Sequence, residues 1–483
     1  MNSPTPASPQ SPSRTTGATG ATEPTEPTEP TEPTEPIEPI EPTGPLEIDD
    51  IQGGALYERP SPYVGTYLLL QIHEPADGRE LIRRLLPLLE PGPASTEPRS
   101  GAWLTVAFTY EGLTVLGVPQ ESLDSFAPEF RQGMAARAAE LGDVGASSPE
   151  HWEKPLGTRD VHIALAALAP DAADLESVVA RARRAQEEIP GVEVIWRQDC
   201  YQLPTGRTSF GFKDGIGQPA VEGVGTPTTR RGEPPIKAGE FILGYPDETG
   251  GLAPMPTPEV LGRNGTYIVF RKLHTRVAAY RQYLRDKART REEEALLGAK
   301  MVGRWQSGAP LVLSPDEDDP ELGSDPGRNN DFGYTSDLRG FKCPAGAHAR
   351  RANPRDSLDH EMSVDVRLHR MIRRGTSYGP MLPEGVLEDD GEDRGIIFVF
   401  AGAHLKRQFE FVKTQWLNDG IFIGAPAEKD PLVGATDGSG AFTIPQHPIR
   451  RRLPDVPPFV VTRGGEYCFA PGLRALRWLA ELT

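Results

Sequence analysis

The sequence predicts an α+β fold of two ferredoxin-like halves, each an antiparallel sheet with helices packed on one face. Three observations point there. Strand-like and helix-like stretches alternate along the chain, the strand-then-helix theme recurs in both halves, and 483 residues suffice to fill one large or two compact domains around a cofactor. The first half is expected over 46–225 and the second over 226–483.

Ahead of them, residues 1–45 form a low-complexity tail in which Thr-Glu-Pro recurs from Thr22 to Pro36 and continues as Ile-Glu-Pro twice. Proline at that period removes backbone donors and favours polyproline II, while the carboxylates repel one another, so disorder is expected. The first half opens at Tyr63 with the strand-like run YVGTYLLLQIH, then a helical stretch from Asp77 to Leu89 and a strand near Ala102 to Tyr110. A helix is expected near Pro128 to Leu141. It is followed by a strand VHIALAALA, a long helix from Asp171 to Ile189 and a strand from Val192 to Asp199.

In the second half the strand GTYIVFRKLH, from Gly265 to His274, leads into the helix TRVAAYRQYLRDKA. Later GIIFVFAGA, from Gly395 to Ala403, leads into HLKRQFEFVKTQWL. Two Pro/Gly-rich stretches, about 218–262 and 307–345, are longer than connections need, and long ordered loops usually line a site.

Composition narrows the function. Of the formal net charge of -18, residues 1–50 supply -9, with ten acidic residues against Arg14 alone. An acidic balance repels nucleic acid and anionic membrane surfaces. Cys200, Cys343 and Cys468 are too few and too scattered for a disulfide framework, and no stretch approaches the roughly 20 apolar residues of a membrane span. The start, MNSPTPASPQ, has neither a basic nor an apolar leader region, so a cytoplasmic setting is expected.

Three segments carry candidate chemistry. In GFKDGIGQP, Gly211 to Pro219, Asp214 sits among glycines, with Phe212 and Gly215 placed so that the backbone can approach a flat ligand and present the carboxylate from a loop. In CPAGAHARRANPRD, His348 stands between Ala347 and Ala349. An imidazole between small neighbours suits an axial ligand of haem iron, and Arg350, Arg351 and Arg355 follow as partners for the haem carboxylates. In HRMIRRGTSYGP, Arg373 or Arg374 is a permanent cation suited to stabilising charge as an O–O bond breaks. Taken singly, a turn aspartate, a capping histidine and surface arginines would look the same; the combination is what points to a site.

Together with QFEFVKTQWLN and the closing RGGEYCFAPGLRALRWLA, these segments resemble the dye-decolourising peroxidase family, in that family's order, from about Tyr63 to the end. The resemblance implies two ferredoxin-like domains in a dimeric α+β barrel-like arrangement, with one haem b per chain held mainly by the second. It also implies His348 as proximal iron ligand, Asp214 as distal acid-base and Arg373 as distal arginine. The chain departs from the family in carrying Ser209 and Phe210 before the first motif and in reading AGAHLKRQFE, without the usual aspartate. Glu410 is therefore the candidate carboxylate behind the proximal imidazole.

The implied activity is reduction of hydrogen peroxide with one-electron oxidation of dyes, phenolics or other small donors. An aspartate base, ordinarily near pKa ~4, predicts an acidic optimum. Ile397 and Phe398 are expected to wall the distal pocket, and Tyr378, then Trp416, to serve as surface radical sites for bulky donors. Two other classes stand beside this one: a haem carrier without peroxide turnover, and an interaction module whose acidic tail recruits a partner.

Overall fold

The computed structural model describes residues 44–92, 101–224, 234–358 and 365–483. The expected tail lies outside the described residues except for Gly44 and Pro45, and so do residues 225–233 of the stretch 218–262. The described residues belong to one compact unit, 42–483.

Eight strands make one antiparallel sheet: β1 (Val64–Ile72), β2 (Trp103–Phe108), β3 (Ile163–Ala169), β4 (Val192–Tyr201), β5 (Thr266–Thr275), β6 (Ile372–Tyr378), β7 (Gly395–Gly402) and β10 (Val460–Ala470). A separate hairpin pairs β8 (Gly440–Ile444) with β9 (Arg451–Val456). The sheet runs β4-β1-β3-β2-β10-β5-β7-β6. Its first four strands have the ferredoxin-like order fourth, first, third, second, and β5, β6, β7 and β10 repeat that order. The two quartets meet edge to edge at β2 and β10, through the single register pair Phe108 and Phe469.

The sheet curls until its outer strands approach. Ser377 N donates to Tyr63 Oη at 2.8 Å, Tyr67 Oη lies 3.1 Å from Thr376 Oγ1, and Tyr201 Oη donates to Gly379 O at 2.8 Å. The barrel so formed is packed with Tyr67, Leu69, Trp196, Phe270, Tyr378 and Ile397. Burial on both faces explains why β1 reads as a nearly continuous apolar run rather than an alternating one.

Outside the first quartet, α1 (Pro75–Leu85) and α2 (Ala172–Glu187) bury Leu81, Ile82, Leu85, Val178 and Val179. Asp171 caps α2 by accepting from Asp174 N at 2.9 Å, so this helix starts where the sequence places it. In the second half come α3 (Val277–Lys287), α4 (Arg291–Val302), α5 (His348–Ala352) and α6 (Leu473–Ala480). Helix α6 packs back on the first half, its Ala480 carbonyl accepting from Arg83 at 2.6 Å.

Two elements differ from expectation, and two strands of the eight-stranded sheet are additional to those expected. The helix expected over 128–141 is a short turn, Pro128–Gln132, stopped by Gly133 at φ 77°, and then a single 3-10 turn at Ala135–Arg137. The segment after β7 is π-helical over Leu405–Glu410 and Val412–Leu417. Strands β6 and β10 carry glycines that lower β propensity; β10 is held between β2 and β5, and β6 is paired with β7 alone at the end of the sheet.

Candidate active site

The outer face of the second quartet walls a cavity of about 370 Å³, within the size range of small-molecule sites. Side chains of a strand alternate between faces, so one parity supplies the wall: Leu273 of β5, Arg373 and Gly375 of β6, Ile396 and Phe398 of β7. The other parity, including Phe270, Tyr378 and Ile397, fills the barrel. Two expectations are corrected by this pleat. Consecutive residues cannot both face the cavity, so Phe398 does, partnered by Ile396, while Ile397 is fully buried on the opposite side. Tyr378 is 2% exposed, its hydroxyl donating to Asp393 Oδ1 at 3.2 Å, and is no surface residue. Trp416 is likewise buried at 3%, packed edge-on against His369 and Phe411.

Helix α5 and the π-helical segment form the facing wall. Along α5, His348, Ala349 and Ala352 turn toward the cavity at helical spacing, and Arg350 and Arg351 turn away. The alanines keep the surface beside the imidazole low. Close approach of α4 to α5 depends on Gly303, whose φ of 95° ends α4 and where a Cβ would stand 3.1 Å from that of Ala349.

His348 Nδ1 lies 2.9 Å from Asp430 Oδ2, and the Asp430 side chain has no exposed surface. Asp430 Oδ1 accepts from Leu432 N and Val433 N, both at 2.9 Å. Burial opposes the charge on this carboxyl, but the His348 imidazole and those backbone donors hold its pKa below the ordinary value. With Nδ1 so occupied, Nε2 is the nitrogen left for a metal. Asp430, not Glu410, is therefore the carboxylate behind the imidazole. Glu410 is engaged elsewhere in the core, accepting from Arg137 at 2.5 and 2.6 Å and from Tyr467 Oη at 2.8 Å.

On the sheet side, the GFKDGIGQP loop brings Phe212, Asp214 and Gly215 to the cavity. Asp214 stands over β6 at Gly375, where a Cβ would be 3.3 Å from its Oδ2. Arg59, from the first half, reaches the same oxygen at 3.4 Å, donates to Gly375 O and stacks on Tyr63 at 4.4 Å. Arg373 donates to Gly217 O at 3.2 Å, and its backbone is clamped by Gln218, which accepts from its N–H at 3.1 Å and donates to its carbonyl at 2.7 Å. Burial, with Arg370 adding and Asp214 opposing, lowers the Arg373 pKa, yet a guanidinium starting above 12 stays a cation.

Of the arginines after His348, two do not line the cavity. Arg350 donates to Asp337 O at 2.9 Å and Cys343 O at 2.7 Å, and Arg351 to Trp416 O at 2.7 Å and Glu428 O at 2.9 Å. They staple the histidine loop, because backbone carbonyls left without strand or helix partners need buried donors. Arg355 and Arg304 reach the cavity instead, with Phe332 between them at 3.9 and 5.4 Å from the two guanidiniums. Cys343 is fully buried and its thiol is pushed up to about 11 by burial, so it is no nucleophile.

Sequence reading did not reach Asp430, Arg59, Gln218 or Arg304, each of which lies far along the chain from the group it serves. No cluster of three or more His, Cys, Asp or Glu side chains able to hold a bare metal ion occurs among the described residues. A single imidazole facing an apolar slot fits a metal already held in a flat macrocycle, and the arginines at the slot's edge suit that macrocycle's carboxylates.

A model of the dye-decolourising peroxidase dimeric alpha+beta barrel domain matches residues 94–191. A dye-decolorizing peroxidase of Mycena epipterygia is 32% identical over 426 residues, 80% of this chain and 77% of the relative. Among solved structures, an ancestral D-type dye-decolorizing peroxidase aligns with TM-score 0.78 and 30% identity over 90% of this chain and 99% of its own. A dye-decolorizing peroxidase in complex with 2,6-dimethoxyphenol aligns with TM-score 0.76 and 26% identity over 90% of this chain and all of its own.

Proposed function

The chain belongs to the dye-decolourising peroxidase family of hydrogen-peroxide-using oxidoreductases, and we propose that it works with one haem b per chain, ligated by His348 and faced by Asp214 and Arg373. One observation carries the reading: a histidine with a buried carboxylate behind it and an Asp–Arg pair occupy opposite walls of one cavity. A passive haem carrier has no use for the second pair.

Bound haem supplies the redox centre that stores the two oxidising equivalents of peroxide. The chain's own residues do the rest. Asp214 takes the proton of hydrogen peroxide at its carboxylate and returns it to the departing oxygen, which leaves as water. Arg373, fixed by Gly217 and Gln218, stabilises the negative charge that builds on that oxygen. Asp430 keeps His348 in the tautomer with Nε2 free and makes it a stronger donor. Arg304 and Arg355 hold the haem carboxylates, and Phe212, Ile396 and Phe398 keep water off the ring.

The electron donors are dyes and small phenolics, a reading supported by the relative solved with 2,6-dimethoxyphenol. No helix of the described residues is long and apolar enough to cross a membrane. Three buried, unpaired thiols support a reducing, cytoplasmic setting. The test is an absorption spectrum and dye-bleaching assay of the haem-supplemented protein beside His348→Ala and Asp214→Asn. Loss of the Soret band in the first variant, and a bleaching rate lowered 10²- to 10⁴-fold with the band retained in the second, are expected. A Soret band and bleaching that survive His348→Ala would overturn the assignment.

A further inference from the structure

Gly375 pairs with Phe398, and Phe398 with Arg271, so β6, β7 and β5 present these residues in one row across the cavity wall. Asp214 stands over the Gly375 end. The Arg271 end lies two strands away, about 10 Å at ordinary strand spacing. There Arg271, 3% exposed, donates to Asp143 Oδ1 and to Thr462 Oγ1, and Asp143 is 2% exposed. Both line the cavity, and each retains a buried polar atom without a partner: Arg271 Nε and Asp143 Oδ2. Lys413, from the facing wall, donates to Val433 O at 3.0 Å and also lines this corner. Burial pushes its amine down to about 8.

Leaving a buried donor or acceptor unmet costs free energy, so an open acceptor and an open donor on one ion pair describe what the corner takes. A carboxylate satisfies Arg271 but is repelled by Asp143 Oδ2, whereas Arg304 and Arg355, flanking Phe332 elsewhere along the lining, suit the haem carboxylates. A hydroxyl both donates and accepts. The walls beside it, Leu273, Phe398 and Phe409, are apolar and suit an aromatic ring. Val144, next to Asp143 in the chain, lines the cavity and is exposed at the surface.

We propose that Asp143, Arg271 and Lys413 form a subsite for small phenolic donors, with the phenol O–H donated to Asp143 Oδ2. The inference rests on the peroxidase reading above. In the step it implies, the phenol's O–H bond breaks, the proton goes to Asp143, one electron goes to the peroxide-oxidised enzyme, and a phenoxyl radical leaves. Asp143 passes each proton on before the next phenol binds, and two such events, each with its own phenol, supply the two electrons and two protons with which the second peroxide oxygen leaves as water and the enzyme returns to its resting state.

Equilibrium binding to the holoenzyme without peroxide tests it, with 2,6-dimethoxyphenol and its methyl ether, 1,2,3-trimethoxybenzene, as the two probes. The phenol is expected to bind at least tenfold more tightly, since the ether cannot donate to a buried carboxylate. Asp143→Asn should erase that preference and Lys413→Met should weaken the phenol several-fold. Equal affinities in the parent, or a preference that persists in a folded Asp143→Asn, would overturn the subsite. The Soret band in the same cuvette separates the two levels: if it is missing, the haem reading has failed. If it is present and the probes bind alike, only the subsite has. Should Asp143→Asn not fold, the probe pair on the parent protein and Lys413→Met still decide.

Discussion

Asp430→Asn is the perturbation that bears most directly on the histidine wall. Asp430 Oδ1 accepts two backbone N–H groups at 2.9 Å, which obliges the amide oxygen of an asparagine to take that place and its NH2 to face His348 Nδ1. A donor at Nδ1 turns that nitrogen into an acceptor and moves the proton to Nε2, the nitrogen a metal needs. Flipping the amide restores the useful tautomer but sacrifices two hydrogen bonds of about 1.5 kcal/mol each. Either route weakens haem binding by roughly 3 kcal/mol, ~100-fold, at the upper end of what loss of a ligand's supporting partner costs.

The assay is titration of haem into the apoprotein, followed at the Soret band. Affinity within threefold of the parent would refute the reasoning. In the parent, the Asp430 carboxyl is held lower in the folded state than in the unfolded chain. Its stabilisation is therefore complete above the unfolded value near ~3.9 and is lost as pH falls through the lower folded value. The Asp430 contribution to fold stability should accordingly stay level from neutrality to about pH 4 and be lost only below it, read as the difference in melting temperature between the parent and Asp430→Asn.

Glu410→Ala should leave haem affinity unchanged while destabilising the fold by about 2–3 kcal/mol in denaturant melts, because it removes the two-oxygen partner of the buried Arg137 guanidinium, which keeps only Gln132 and the exposed Glu140. Glu466 is buried, accepts from Gly157 N at 2.6 Å and has its carboxyl pushed up to about 8 by burial, so the folded state holds this proton more tightly than the unfolded chain. Stability should therefore fall as pH rises from about 4 to 8, and Glu466→Gln should raise the melting temperature at pH 8 more than at pH 5. Gly375→Val places carbon atoms within reach of Asp214 Oδ2 and Ile396, so turnover should drop at least tenfold in a peroxide assay while the Soret band persists.

Much of the fold was legible in the sequence because its signals are local. The apolar run of β1, the amphipathic α1 and the Asp171 cap each specify an element without help from elsewhere, and the repeated strand-helix theme announces the doubled topology. The candidate site was legible where its residues share short segments: Asp214 with its glycines, His348 with its alanines, Arg373 on the parity that faces the cavity. Where the reading slipped, a periodicity had been overlooked. Ile397 and Phe398 cannot share a strand face, and Arg350, two residues after His348, lies across α5 from it.

By itself the sequence determined the alternation of elements, the repeated strand-helix theme, and the short segments that carry the proposed haem ligand and the proposed peroxide-handling pair. Only the tertiary structure decided what stands behind and around them. Asp430 is 82 residues from His348, Arg59 is 155 from Asp214, and Asp143 is 128 from Arg271. Separations of that length leave no periodic trace in a chain, because the pairing is made by how sheet, loops and helices pack, and a carboxylate's partner is fixed by position in space rather than by its neighbours in sequence.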